Sequence, residues 1–366
     1  MWPGATHRLV SCTLDRAQWT PGVECVATFR FELSGDSGRH LHAVGAVAAT
    51  RAGVRHWLCT DDAALPGLAE AADAGVMSTW LADHTGNHGH TFDVTTLRYR
   101  PGRRCVLRYT PSRGGPVFFG KVLDGERCLG VAAALDAVGP ELAPPKLGCV
   151  PAWQLVVQGD AGSSLGALDV DRPNTARAVH EAGRLVAQLH RGAPGAGAVR
   201  TLADDVAEVG EAAPIVGRVD PAAAQALHDS LDVLSLADGG GTAGAPAHGA
   251  LRLNQIHAAN GRLRMIDLDT YCQAPPERDV ANLVAYLRWR AIRRAASPDA
   301  VERNRAAFLA GYARDAQRPL DMALLGCFEA ASLLKIAVRR CRGLDVERWQ
   351  YLPGLVAAAR ASARAA

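Results

Sequence analysis

The residues whose types and spacing could do chemistry gather between His248 and Asp279. His248, Arg252, Asn254 and Gln255 precede Ile256-His257, an Asn260-Gly261 pair, the alternating run Leu263 to Ile266, and then Asp267 and Asp269. Asn-Gly between two short apolar runs signals a tight hairpin, because both turn residues need positive φ. The loops entering and leaving such a hairpin lie close together. Polar side chains of 248–255 and carboxylates of 267–269 are therefore expected to converge on one small volume. Carboxylate and amide oxygens, a forked guanidinium and a histidine on a rigid hairpin are the parts of a phosphate–metal site.

Elements that could position this stretch can be read on both sides of it. In the first 125 residues Trp19-Thr20-Pro21-Gly22-Val23-Glu24-Cys25-Val26 recurs as Tyr99-Arg100-Pro101-Gly102-Arg103-Arg104-Cys105-Val106. Phe29 and Tyr109 follow, and Val44-Gly45-Ala46-Val47 matches Phe119-Gly120-Lys121-Val122. Each copy reads as strand, Pro-Gly turn, strand, loop, strand. Between the copies, 61–86 is helix-like and ends in His84, His88 and His90 with Asn87 among them; a polar Gly-rich turn explains these better than a metal site. A helix is expected over 127–138, a strand over 153–158, and a helix start at Ser163-Ser164-Leu165. From Asn174, apolar residues recur at three- and four-residue spacing, with His190 as a packing or capping residue. A second helix starts near Pro221 and ends before a Gly239-Gly240-Gly241 linker. Helical patterns at 298–313, 320–340 and 346–360 finish the chain, with a frayed tail at 361–366.

Composition narrows the function classes. A chain of 366 residues, 48% hydrophobic and 21% charged, reads as globular, with room for two lobes. A formal charge of +3 is too small to argue for a nucleic acid or a membrane partner. No apolar run is long enough to span a bilayer, and the start lacks a charged-then-apolar leader. Nine scattered cysteines without a Cys-x-x-Cys pair suit a reducing cytoplasm. Lysine occurs only at 121, 146 and 335. Lys121 on an otherwise apolar strand therefore calls for an anionic partner, a solvated strand lysine being the alternative.

The central stretch resembles the catalytic core of the aminoglycoside phosphotransferase family, relatives of the protein kinases. That family's loop runs His-Gly-Asp, a Leu or Phe, then four residues ending in Asn; a strand and Ile-Asp-x-Asp follow. This chain has His248-Gly249-Ala250-Leu251-Arg252-Leu253-Asn254-Gln255 and Ile266-Asp267-Leu268-Asp269. Arg278-Asp279-Val280-Ala281-Asn282-Leu283 is similar to the family's Arg-Asp-Leu-Ala-Asn-Leu, whose Asp braces the catalytic loop. The likeness covers about residues 91–340. It implies an α+β, two-lobed protein-kinase-like fold with an extra N-terminal α/β segment, a degenerate small-lobe repeat. The implied divisions are 1–90 for that segment, 91–158 for the small lobe and 159–366 for a mostly helical large lobe. It also implies ATP and Mg2+ as cofactors. Lys121, Gln158 at the hinge strand and Arg103 would meet the nucleotide. Asp267 and Gln255, or Asn254 if the loop is shifted by one, would meet the metal. Arg252 would touch the transferred phosphate, and His248 would support the loop.

The departure that matters is Ala250, where the family carries its catalytic Asp. Three readings stay open: a phosphotransferase in which Asp269 substitutes as base, a pseudokinase that binds nucleotide without efficient transfer, or an Asp replaced by design. The implied acceptor is a hydroxyl of a small molecule or peptide. Acidic residues near the acceptor would argue for a cation, with Asp315, Asp321 and Glu329 as candidates.

Overall fold

The computed structural model describes residues 7–35, 40–86, 88–193, 195, 197–237 and 244–364. Asn87, the 239–241 linker and the last two residues of the tail lie outside them. The chain forms two compact units, Met1–Ala132 with Pro145–Asp160, and Ala133–Pro144 with Ala161–Ala366.

The first unit begins with β1 (His7–Thr20), β2 (Glu24–Gly35), β3 (His40–Thr50) and β4 (Gly53–Leu58), an antiparallel sheet in chain order. Two short helices, α1 (Leu68–Ala72) and α2 (Ala74–Thr85), lead to β5 (Phe92–Arg100), β6 (Arg104–Pro111) and β7 (Phe118–Leu123). Helix α3 (Arg127–Val138) crosses the unit boundary; β8 (Lys146–Val150) and β9 (Leu155–Gly159) then complete a five-stranded sheet of order β5-β6-β7-β9-β8.

The two sheets start alike. Val23 N–H donates to the Thr20 carbonyl and Arg103 N–H to the Arg100 carbonyl, both at 3.0 Å. Gly22 and Gly102 hold φ of 76° and 67°, the conformation for which glycine follows proline in such a turn. Trp19 then pairs with Cys25 as Tyr99 pairs with Cys105. Beyond the turn the registers part. Lys121 lies opposite Val106, whereas Ala46 lies opposite Thr28, and Val26 faces Ala48. The ladder counterpart of Lys121 is thus Ala48, a slide of two residues from the sequence match. In each copy an aromatic ring lies on a glycine. A Cβ on Gly120 would meet the Tyr109 hydroxyl at 2.5 Å; one on Gly45 would meet the Phe31 ring at 3.1 Å. Phe31 comes two positions later than the turn-aligned Phe29, and an even slide keeps every side chain on its face.

One core serves both sheets. Ala46 and Val44 from the first, Leu65, Leu68, Met77 and Leu81 from the helices, and Tyr99, Leu107, Tyr109, Val122 and Leu155 from the second are buried together. Polar groups cross it in a relay. Trp57 Nε1–H donates to the Tyr99 hydroxyl (2.7 Å), which donates to Asp62 (2.6 Å), and the Gly102 amide donates to the same carboxylate (2.7 Å).

The second unit is mostly helical. After β10 (Ser163–Ser164) come α4 (Thr175–His190), α5 (Leu202–Ala212), α6 (Pro214–Gly217) and α7 (Pro221–Ser235). Short strands β11 (Ala245–Ala247), β12 (Ile256–Ala259), β13 (Arg262–Met265) and β14 (Cys272–Ala274) carry the central stretch. Helices α8 (Pro276–Ile292), α9 (Pro298–Asp315), α10 (Met322–Arg342) and α11 (Leu352–Arg364) follow, with α10 packed on α5, α8 and α11. Ser163-Ser164 pairs with β12, where Gly162 at φ 87° lies against the Ala258 carbonyl and accepts a bond from His257 Nδ1 (2.8 Å). Ser164 then opens a helix as expected, but only a single 3-10 turn, Leu165–Ala167, its hydroxyl accepting from the Gly166 amide (3.0 Å).

Candidate functional site

The hairpin forms where Asn-Gly required it. Asn260 and Gly261 both take positive φ, and Ile256 pairs with Met265. Asp267 follows in the left-handed region (φ 67°, ψ 47°), an uncommon place for a non-glycine residue that costs about 1–2 kcal/mol. The buried Gln255 side chain reaches it from the other loop, its Nε2–H donating to Asp267 Oδ2 at 3.3 Å. Gln255 Oε1 is buried and has no hydrogen-bond partner. Asn254 points elsewhere: its Cα and Cβ pack on Gly166, and it lines a different cavity.

His248 is fully buried and braces the hairpin, its Nε2–H donating to the Ile266 carbonyl (2.8 Å). The Thr270 hydroxyl donates to the His248 carbonyl (3.1 Å). Gly249, at φ 82°, sits so close to Thr270 that a Cβ would strike its carbonyl. Asp279 at the start of α8 accepts from the amides of His248 (2.6 Å) and Gly249 (2.8 Å). From the same turn, Arg278 donates to the Gly249 carbonyl (2.9 Å) and Asn282 Nδ2 to the Leu251 carbonyl (2.7 Å). His190, the last residue of α4, donates to Asp279 (3.3 Å) and also bonds the Tyr312 hydroxyl (2.9 Å). Burial opposes ionisation of Asp279, but the His190 bond and the charges around it hold its carboxyl below the ordinary range.

Ala250 and Asp269 line a cavity of about 370 Å³ with Gly249, Thr270 and Tyr271. Its far wall carries charges that reasoning from spacing did not single out. Arg278 grips Asp205 with two bonds (2.9 and 3.0 Å), and Lys335 lies 2.8 Å from Asp205 and 2.9 Å from Glu208. Arg200 reaches Glu208 at 3.1 Å. Burial works against the Asp205 charge, yet Arg278 and Lys335 outweigh it and keep its carboxyl low. The scarcity of lysine was the available signal for Lys335, in the middle of α10. The anticipated acidic residues are engaged elsewhere: Asp315 pairs with Arg184 (3.1 Å), Asp321 caps α10, and Glu329 pairs with Arg288 (2.8 Å). The Arg252 guanidinium lies over the Tyr286 ring, 5.0 Å from its centre.

In the first unit, Lys121 is half-buried on β7 between Val106 and Val156. Gln158 on β9 pairs with Phe119 on one side and Lys146 on the other, two residues before the unit boundary. Arg103 is exposed at the β5–β6 turn. His84 stacks on Trp80 with ring centres 3.7 Å apart, and no group of three metal-ligating side chains occurs among the described residues. No helix among them is long and apolar enough to cross a membrane.

Asp267 and Gln255 offer one carboxylate and one amide oxygen. That donor set fits magnesium, which takes one or two protein oxygens and fills its shell with water and phosphate. The unsatisfied Gln255 Oε1 is the acceptor such an ion would use.

No protein-family model and no curated protein matches the sequence. Solved structures match the fold. A choline kinase from Cryptosporidium parvum Iowa II aligns with a TM-score of 0.56 at 11% identity, over 81% of this chain and 94% of that one. A thermostable mutant of aminoglycoside phosphotransferase APH(4)-Ia, in a ternary complex with ADP and hygromycin B, gives 0.54 at 15% identity, over 78% and 98%. An amicoumacin kinase in complex with AMP-PNP and Ca2+ gives 0.53 at 13% identity, over 73% and 87%. At these identities the likeness is one of fold: α+β, of the protein-kinase-like kind shared by small-molecule kinases.

Proposed function

We propose that the protein is an ATP-dependent, magnesium-using phosphotransferase acting on a hydroxyl of a small molecule or peptide. The observation that carries this is the buried, unpartnered Gln255 Oε1 beside Asp267, on a loop that α8 clamps with four hydrogen bonds to His248, Gly249 and Leu251. Phosphoryl transfer needs chiefly positioning and charge neutralisation, and this geometry supports both. Bound magnesium would neutralise phosphate charge; Asp267 and Gln255 would hold it. Lys121 would meet the nucleotide phosphates. Similar folds holding ADP or AMP-PNP support a nucleotide as the donor. The cavity beside Ala250 favours a neutral or anionic acceptor over a polycation, because Asp205 and Glu208 are already paired with cations. The division into a segment at 1–90, a small lobe at 91–158 and a large lobe at 159–366 belongs to the same reading.

A methyl group at 250 favours a second reading, a pseudokinase that binds nucleotide without efficient transfer. One experiment separates the two. ADP affinity with and without magnesium is measured for the protein and for Asp267→Asn, and ATP turnover for the protein and for Ala250→Asp. Under the first reading, binding depends on magnesium and falls in Asp267→Asn. Ala250→Asp then raises turnover toward the ~10²–10⁴-fold span of a positioned base. Magnesium-dependent binding with no gain in Ala250→Asp points to the pseudokinase. No nucleotide binding in any variant removes both.

A further inference from the structure

A second cavity in the helical unit, of about 240 Å³, is lined by Arg252, Arg290, Arg293, Arg340 and Arg348. Sequence spacing explains how α8 contributes. Tyr286, Trp289, Arg290 and Arg293 fall at intervals of three and four and so share one face. Arg340 comes from the last turn of α10, and Arg348 from the turn before α11.

A cluster of arginines could serve only the fold, and the counter-charges decide against that. Asp345 is the carboxylate that joins them, accepting from Arg340 (2.9 Å) and Arg348 (2.7 Å). The charges that act on Arg290 and Arg293 are those of other arginines and of Tyr351, and Arg252 lies against the Tyr286 ring. The C-terminal ends of α8 and α10 supply roughly half a negative charge each. About three of the five positive charges stay uncompensated. Three guanidinium nitrogens, the Nε of Arg252, Arg293 and Arg340, are buried without an acceptor. A buried donor left unmade costs about 1–3 kcal/mol, so the arrangement is unfavourable until an acceptor arrives. Arg290 is held in place by the Leu168 (3.2 Å) and Gly166 (2.9 Å) carbonyls, and Arg252 by the Tyr286 ring. The forks are therefore preorganised. Burial, then repulsion from Arg348 and Arg340, depresses the Arg293 pKa.

We infer that this cavity is a binding site for a multiply charged oxyanion, a phosphate or diphosphate group free or carried on a small molecule. Guanidinium forks match phosphate oxygens two at a time. Asp345 and two helix ends offset only part of the charge, so a dianion brings the site near neutrality. The inference does not rest on phosphoryl transfer; it concerns the arginines alone.

The test uses the full chain carrying Asp267→Asn, without magnesium, so that the nucleotide site contributes little. Inorganic pyrophosphate, inorganic phosphate and phenyl phosphate are titrated by calorimetry, with melting temperature followed in parallel. Pyrophosphate is expected to bind and to raise the melting temperature, with affinity falling as salt is added. Arg293→Gln should weaken binding at least tenfold while leaving the unliganded melting temperature unchanged or higher, since it removes a repelled charge. Arg293→Glu should abolish binding. Tighter phenyl phosphate than phosphate would identify an ester as the natural ligand, and the reverse a free anion. Absence of pyrophosphate binding overturns the inference. So does equal affinity in Arg293→Gln, or affinity lost in Lys121→Met to the same degree, which would place the anion at the nucleotide site instead.

Discussion

At the scale of single residues, the proposed function rests on Gln255 and Asp267. An amide oxygen buried without a partner is costly in a finished core, and Gln255 Oε1 is one. Gln255→Leu keeps nearly the same volume and gives up one 3.3 Å bond to Asp267. Its stability is therefore expected to change by less than about 1 kcal/mol. Its magnesium-dependent ADP affinity should fall at least tenfold, about 1.4 kcal/mol. Calorimetry with and without magnesium, beside a denaturant melt, measures both. An unchanged magnesium response would show that the oxygen is idle. The loop pattern made Gln255 legible in the sequence, with Asn254 as its substitute if the loop were shifted by one residue. Asn254 packs on Gly166, 88 positions back in the chain, and no local spacing reports that. Arg252 shows the same limit. Its loop position suggested a phosphate contact, but not the Tyr286 ring on α8 that holds its guanidinium at 5.0 Å.

At the scale of elements, one helical turn controls the loop. Arg278, Asp279 and Asn282, at the start of α8, bond backbone groups of His248, Gly249 and Leu251. Asp279 was recognisable as the brace; the parts played by Arg278 and Asn282 appear only when the loop is seen lying against the helix. Helix α5 was not anticipated, although Thr201 and Asp204 form the capping box that marks its start. It matters because it carries Asp205 to Arg278 and Lys335. Asp205 and Asp279 both have depressed pKa values when folded. Such groups contribute stability that is complete above the unfolded carboxyl value, about pH 4, and is lost as pH falls through the folded one. Asp205→Asn leaves Arg278 buried beside a neutral amide and Lys335 with Glu208 as its remaining carboxylate, a loss of about 3–5 kcal/mol at neutral pH. Its melting temperature should lie well below that of the unaltered protein at pH 7, and the gap should narrow as pH falls below about 4. A gap that stays constant with pH would mean that the Asp205 charge does not stabilise the fold.

For the molecule as a whole, the open question is whether the first 90 residues are an addition or a necessity. Sequence repetition made a second small sheet legible, down to the matching Pro-Gly turns. It did not show that the register slides by two, with Phe31 rather than Phe29 lying on the glycine. Nor did it show that the sheets share one core. Leu65, Leu68, Met77 and Leu81 from before residue 90 are fully buried against Tyr99, Leu107 and Tyr109 from after it. The Asp62 carboxylate also accepts from the Tyr99 hydroxyl and the Gly102 amide, tying the two halves through the repeated turn. Removing residues 1–90 would expose several large side chains, each worth about 1.5–3 kcal/mol when buried. That sum is comparable with the usual margin of ~5–15 kcal/mol for a domain. A chain of residues 91–366 is therefore expected to lose the cooperative unfolding of its first unit, while the helical unit, with its own core, keeps its melting transition. Hydrogen exchange read by segment distinguishes the outcomes. Rapid exchange across 92–123 with protection kept in 276–342 agrees with a shared core. Protection kept in both regions would make the first 90 residues a separate appendage, and the two sheets two domains.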